Sequence, residues 1–111
     1  MKEGDVVIVA LPQADGAAKN RPAVVLREMP PFRDMLVCGI STQWKQAVMG
    51  FDEITSVRDA DFSSAGLKAE SVIRLGFLIA VPRTKILGSI GSIAASRHTR
   101  LLKTLADYLS A

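Results

Sequence analysis

The sequence predicts a mainly β domain, a small, strongly bent sheet or barrel of five or six short strands closed by one C-terminal α-helix. Three observations predict it. The first two thirds of the chain are short apolar runs separated by turn-forming residues. The tail changes to a helical period. And 111 residues, nearly half of them hydrophobic, suffice for one modest core and no more.

Val6 to Leu11 is a continuous apolar run bounded by Gly4-Asp5 and Pro12, the pattern of a buried strand. Gln13 to Asn20 (QADGAAKN) carries Asp15-Gly16 and Asn20, which favour turns and accept positive φ, and reads as a loop. Ala23 to Leu26 is a second buried strand, entered through Arg21-Pro22 and ended by Pro30-Pro31. Met35 to Ile40 is a third, running into the polar Ser41-Thr42-Gln43. Residues 44–50, with Trp44, Lys45 and Gln46, read as a second loop, and Phe51 to Thr55 as a strand. A turn-rich crossing, DADFSSAGL, follows. Ser71 to Leu75 and Phe77 to Val81 are two further β-rich runs, with Gly76 between them marking a bulge or bend. From Ala94 on, Leu101, Leu102, Leu105 and Leu109 form a helical stripe with Arg97, Arg100, Lys103 and Asp107 mostly off it. Ser92 or Ser96 is the expected N-cap.

Composition excludes several classes. Cys38 is the single cysteine, so no disulfide forms within the chain. With one cysteine and one histidine, the four Cys/His/carboxylate ligands typical of a structural zinc site are not assembled. The apolar run near the N-terminus is short, follows Glu3 and Asp5 and ends at Pro12, unlike a signal peptide. No run approaches the ~18 apolar residues of a membrane span. These features describe a cytoplasmic protein with no membrane partner. The net charge of +3 is compatible with a polyanionic partner without requiring one.

No phosphate-binding Gly-rich loop, HExxH, CxxC or G-x-S-x-G motif is present. The lone His98 falls near the start of the expected helix and reads as a partly exposed helix residue. Asp59 and Asp61 share the turn-rich crossing and read as a solvated loop, leaving no expected metal site. Arg21, before a Pro and a buried strand, can be aimed with little entropy left to lose. Ser41, Thr42 and Gln43 offer two hydroxyls and an amide where a strand leaves the core. Arg74, with Ile73 and Leu75 facing the other way, suits an open face.

Taken together, Gly4-Asp5-Val6-Val7, RPAVVL at 21–26, ISTQ at 40–43 and SVIRL at 71–75 resemble the MazF/PemK toxins of bacterial toxin–antitoxin pairs. The helix HTRLLKTLADYL also resembles that family's C-terminal end, so the likeness spans nearly the whole chain in order. It implies one domain over 1–111, an SH3-like barrel of five to seven strands with a C-terminal α-helix. It also implies a homodimer, an antitoxin partner, DNA contact only through that antitoxin, and cleavage of single-stranded RNA without metal or other cofactor.

By position, Arg21 matches the family's catalytic arginine, Ser41 the place of its catalytic threonine, and Arg74 an arginine that acts at the scissile phosphate in some members. Asp15, Lys19 and Asn20 fall in the RNA-contacting loop, and Thr42 and Gln43 beside the catalytic hydroxyl. Many relatives carry Asp where this chain has Gly76, and the loop AAKNRP lacks the Glu-Gln of other branches. The alternative expectation is therefore a non-catalytic module on the same fold, binding nucleic acid or acting with an antitoxin as a co-repressor.

Overall fold

The computed structural model describes residues 1–111. Its strands are β1 (Asp5–Pro12), β2 (Ala18–Met29), β3 (Asp34–Ser41), β4 (Glu53–Thr55), β5 (Ser71–Val81) and β6 (Ile86–Ser92), and its helix is α1 (Ala95–Leu109). All six strands form one antiparallel sheet in the order β4-β5-β3-β2-β1-β6. Single 3₁₀ turns lie at Trp44–Gln46 and Arg83–Lys85. No helix is long and apolar enough to cross a membrane.

The unbroken apolar runs follow from burial on both faces of the sheet. Side chains alternate along a strand, so β1 sends Val6 one way and Val7, Val9 and Leu11 the other. On the outer face Val24, Leu26, Ile73 and Leu75 pack with Leu101 and Leu105 of α1. On the inner face Val7, Val9, Val25 and Val37 share a cluster with Val81 of β5, and Ile86 of β6 packs against it. Strands far apart in the sheet thus meet over one core, which curls the sheet into an open barrel. Each fully buried Val or Leu contributes about 1.5–3 kcal/mol. The helix closes the outer face, as the stripe of leucines requires.

Several boundaries differ from the sequence expectation, each for a physical reason. The first loop is only 13–17: β1 and β2 continue pairing through Leu11↔Lys19 to Pro12↔Ala18. Lys19, Asn20 and Arg21 therefore stand in a strand rather than a loop. The runs on either side of Gly76 are one strand, β5, with the expected bulge inside it: β3 pairs Cys38 with Leu78 and Ile40 with Ile73, leaving 74–77 looped out. Asp52 holds this bulge, its Oδ1 accepting the Leu75 N–H at 3.0 Å. β6 was not expected, because ILGSIGS is weak in strand-forming residues; it forms on the free edge of β1 with two register shifts.

The helix start departs further. Neither Ser92 nor Ser96 caps it; the N-cap is Ala94, with no side-chain cap. Asp61 does the work from a distance, accepting the Ala94 N–H at 2.9 Å. Asp61 and Arg97 are both buried, at 8% and 7% exposure, so neither the solvated-loop reading of Asp61 nor the off-stripe reading of Arg97 holds. The Arg97 guanidinium reaches Asp61 Oδ2 at 2.9 Å, Asp59 Oδ2 at 2.8 Å and Glu53 Oε1 at 3.0 Å. The hydrogen bond from Arg97 holds the Asp61 carboxyl below its usual range against the opposing effect of burial. Burial lowers Arg97, yet Asp61 and the other carboxylates outweigh it and raise the guanidinium further.

His98 is half-buried, as expected, and has a partner: its Nε2 donates to the Leu26 carbonyl at 2.8 Å, tying α1 to β2. The crossing at 62–66 packs close under β6. Gly66 has φ +75°, and a Cβ there would strike the Ile90 carbonyl, so only glycine fits.

Candidate nucleic-acid interface

An open groove of about 500 Å³ lies between the β1–β2 hairpin, the end of β3 and the bulge of β5. Arg21, Ser41, Thr42, Gln43 and Arg74 all line it. Three segments of the chain, distant in sequence, are thus brought together. Arg21 comes from β2, opposite Val9. Ser41 is the last residue of β3, and its Oγ accepts the Gln43 N–H at 3.1 Å, which turns the chain over the groove. Arg74 comes from the β5 bulge, where it is exposed and has no protein hydrogen-bond partner.

Charge is the distinguishing property here. Arg27, Arg33, Arg83, Arg97 and Arg100 are each ion-paired, whereas Arg21, Arg58 and Arg74 meet no carboxylate, and of these three Arg21 and Arg74 line the groove. No Asp, Glu or His lines the groove. Its remaining polar groups are hydroxyls and amides, which hydrogen-bond to anions without cancelling the positive charge. Arg21 is half-buried and held by one neighbour, donating from Nη2 to Gln13 Oε1 at 3.1 Å.

Other expected contacts fall outside the groove. Asp15 sits in the hairpin turn, its Oδ1 accepting the Ala17 N–H at 2.9 Å, with Gly16 at φ +86° completing the turn. Lys19 and Asn20 are exposed on β2 and do not line the groove. By alternation Lys19 shares the side of Arg21 and Asn20 the opposite one. Gly76 also lies elsewhere. A Cβ there would meet Phe51 Cε2 at 3.6 Å, in an apolar groove formed with Leu78, Leu105 and Tyr108. Gly76 thus lines this apolar groove and not the one that holds the arginines.

Sequence reasoning did not single out Gln13, Phe77 or Asp52. Gln13 and Phe77 line the groove, and Asp52 pins the bulge that presents Arg74. Gln13 directly follows Pro12 at the hairpin entry, the nearest thing to a signal for it. Cys38 is buried, and burial pushes its thiol up to about 12.

The small curled sheet thus presents in one groove two arginines without counter-ions beside hydroxyls and amides. The chain belongs to the PemK-like, MazF-like toxin family of type II toxin–antitoxin systems, whose family model matches residues 2–109. Among solved structures it is similar to the Mycobacterium tuberculosis toxin MazF-mt6, at 22% identity over 96% of each chain with a TM-score of 0.67. At that identity the likeness is one of fold. No curated protein sequence matches the chain.

Proposed function

We propose that this chain is a metal-independent endoribonuclease, the toxin of a type II pair, acting on single-stranded RNA in the cytoplasm. The observation that carries the proposal is the pair Arg21 and Arg74, both without a counter-ion, facing one groove that holds no carboxylate. A phosphodiester placed between them meets two forked, charge-assisted donors. Attack of the ribose 2′-oxygen on phosphorus displaces the 5′-oxygen and passes through a five-coordinate phosphorane. The 2′-hydroxyl proton leaves to solvent, and water protonates the departing 5′-oxygen. Arg21 and Arg74 stabilise the extra negative charge, each being worth ~10²–10³ in rate. Ser41, with its Oγ anchored at the turn, orients the phosphate, while Thr42 and Gln43 contact the neighbouring nucleotide. Lys19, on the Arg21 side of β2, is placed for a phosphate further along the strand; Asp15 acts by shaping the turn, and Asn20 has the weakest claim to RNA contact. The absence of carboxylates from the groove is what supports chemistry without a bound metal.

The test is incubation of the purified chain with a mixed-sequence single-stranded RNA in EDTA. The expected result is cleavage to 5′-hydroxyl fragments, slowed at least ~10²-fold in Arg21→Ala. Intact RNA from protein whose fold is verified by circular dichroism refutes it. The lack of any histidine or carboxylate base in the groove favours a second reading, binding without cleavage. RNA that is retained with a steep salt dependence yet never cut would establish that reading.

The partner of a type II toxin is an antitoxin, which we place over the same groove. We also propose a homodimer. Met49 and Leu109, 89% and 70% exposed beside Phe51 and Tyr108, form an apolar face that supports assembly. A monomer mass by light scattering at micromolar concentration refutes it.

A further inference from the structure

The one protein partner of Arg21 is a neutral amide, where a carboxylate would bind it more tightly. Gln13 Oε1 accepts from Arg21 Nη2 at 3.1 Å, while Gln13 Nε2 donates to the carbonyls of Leu11 and Pro12 at 3.2 and 3.3 Å. Two carbonyls on one side and a guanidinium on the other leave the amide a single orientation, oxygen toward Arg21. The backbone beneath it is fixed by the turn. Gln13 N–H donates to the Ala17 carbonyl at 2.8 Å, and the Gln13 carbonyl accepts the Gly16 N–H at 3.0 Å. The Asp15 carboxylate braces the same turn through Ala17.

An amide acceptor orients a cation and leaves its charge whole. A Glu at this position would form an ion pair and compete with phosphate for the same donors. We infer that Gln13 is a positioning residue for RNA cleavage: it aims the Arg21 guanidinium into the groove while keeping it free to bind the scissile phosphate. The inference rests on the endoribonuclease reading of this groove. It also gives the Asp15-Gly16 turn a part in that reaction, through Gln13 rather than through RNA.

Two variants and two readouts test it. Gln13→Met keeps the side chain's length and removes both hydrogen-bonding ends; Gln13→Glu keeps an acceptor and adds the charge. Nitrogen-15 NMR of the arginine side chains reports orientation directly. In the parent the two Arg21 Nη groups are expected to be distinct, and in Gln13→Met to average, with an unchanged backbone amide spectrum. On a single-stranded RNA oligonucleotide, Gln13→Met is expected to lower kcat about tenfold with KM within about threefold. Gln13→Glu is expected to raise KM and to lower the salt slope of RNA binding by about one phosphate contact. Arg21 resonances that stay distinct in Gln13→Met, or parental kcat in that variant, would overturn the inference. A parent that cuts no RNA refutes the endoribonuclease reading instead, and the NMR comparison then decides alone whether Gln13 orients Arg21.

Discussion

Arg97→Met removes the centre of the buried ionic network while keeping an unbranched side chain that fills most of the same space, so it separates charge from packing. Asp61, with a side chain 9% exposed, loses both guanidinium hydrogen bonds and keeps only the Ala94 N–H. Asp59 is 30% exposed and retains the Ser56 N–H, and Glu53 retains Arg100. The penalty therefore concentrates on Asp61. Stranding one buried charge costs about 3–5 kcal/mol. That is a large share of the ~5–15 kcal/mol that holds a domain together. At about 4 °C per kcal/mol for a chain of this size, the midpoint should fall by roughly 12–20 °C.

Urea titration followed by circular dichroism, with thermal scans, measures the loss at pH 7. The pH dependence supplies a second check. Arg97 holds the folded Asp61 carboxyl below its ordinary value of 3.8. The native state therefore gains from ionised Asp61 above that value, and the gain disappears as pH falls through the lower folded value. Arg97→Met has no such gain to lose. The stability gap between parent and variant should be widest near neutrality and should close in the acid range below pH 4. A loss under about 1 kcal/mol at pH 7, or a gap that persists unchanged in acid, would refute the reasoning.

Arg74→Ala should slow RNA cleavage by ~10²–10³ with the melting midpoint unchanged, because Arg74 is exposed and its side chain makes no hydrogen bond or ion pair within the fold; single-turnover kinetics beside thermal scans check both halves. Gly66→Ala should destabilise by more than about 2 kcal/mol, read in urea, since it combines a left-handed φ with a backbone clash against Ile90. Cys38 should resist thiol-reactive probes in the native protein up to pH 9 and label only on unfolding, as its buried thiol, raised to about 12, remains protonated.

The sequence expectation was strongest where local pattern and tertiary packing agree. The cores of β1, β2 and β3 are visible as apolar runs and α1 as a leucine stripe; the strand cores and Leu101 and Leu105 are buried as read, whereas Leu109 at the end of the stripe is 70% exposed. It was weakest where a distant residue supplies the determinant. The α1 start is set by Asp61, more than one element away, so no local capping box could announce it. β6 exists because β1 has a free edge, and its glycines and serines give no propensity signal. The count of six strands agrees only because the missing β6 offsets the division of β5 in two. For the groove, Arg21, Ser41 and Arg74 were each legible by position and resemblance. Gln13 was not, because its importance lies in an orientation that appears only once the hairpin is folded.

The pairing of β1 with β6 also dictates when the barrel can come into being. Val7 finds β2 within a short hairpin but meets Ser89 only after roughly eighty further residues, a closure that is slow for entropic reasons. Until then β1 offers an open edge, and its Val7–Val9–Leu11 face lacks the cover that β6 brings through Ile86. During synthesis the emerging chain thus carries an adhesive, incomplete sheet until its last strand leaves the ribosome. The groove that β1 and β2 help to form is thus completed on a scaffold whose closing strand is among the last parts of the chain to be made.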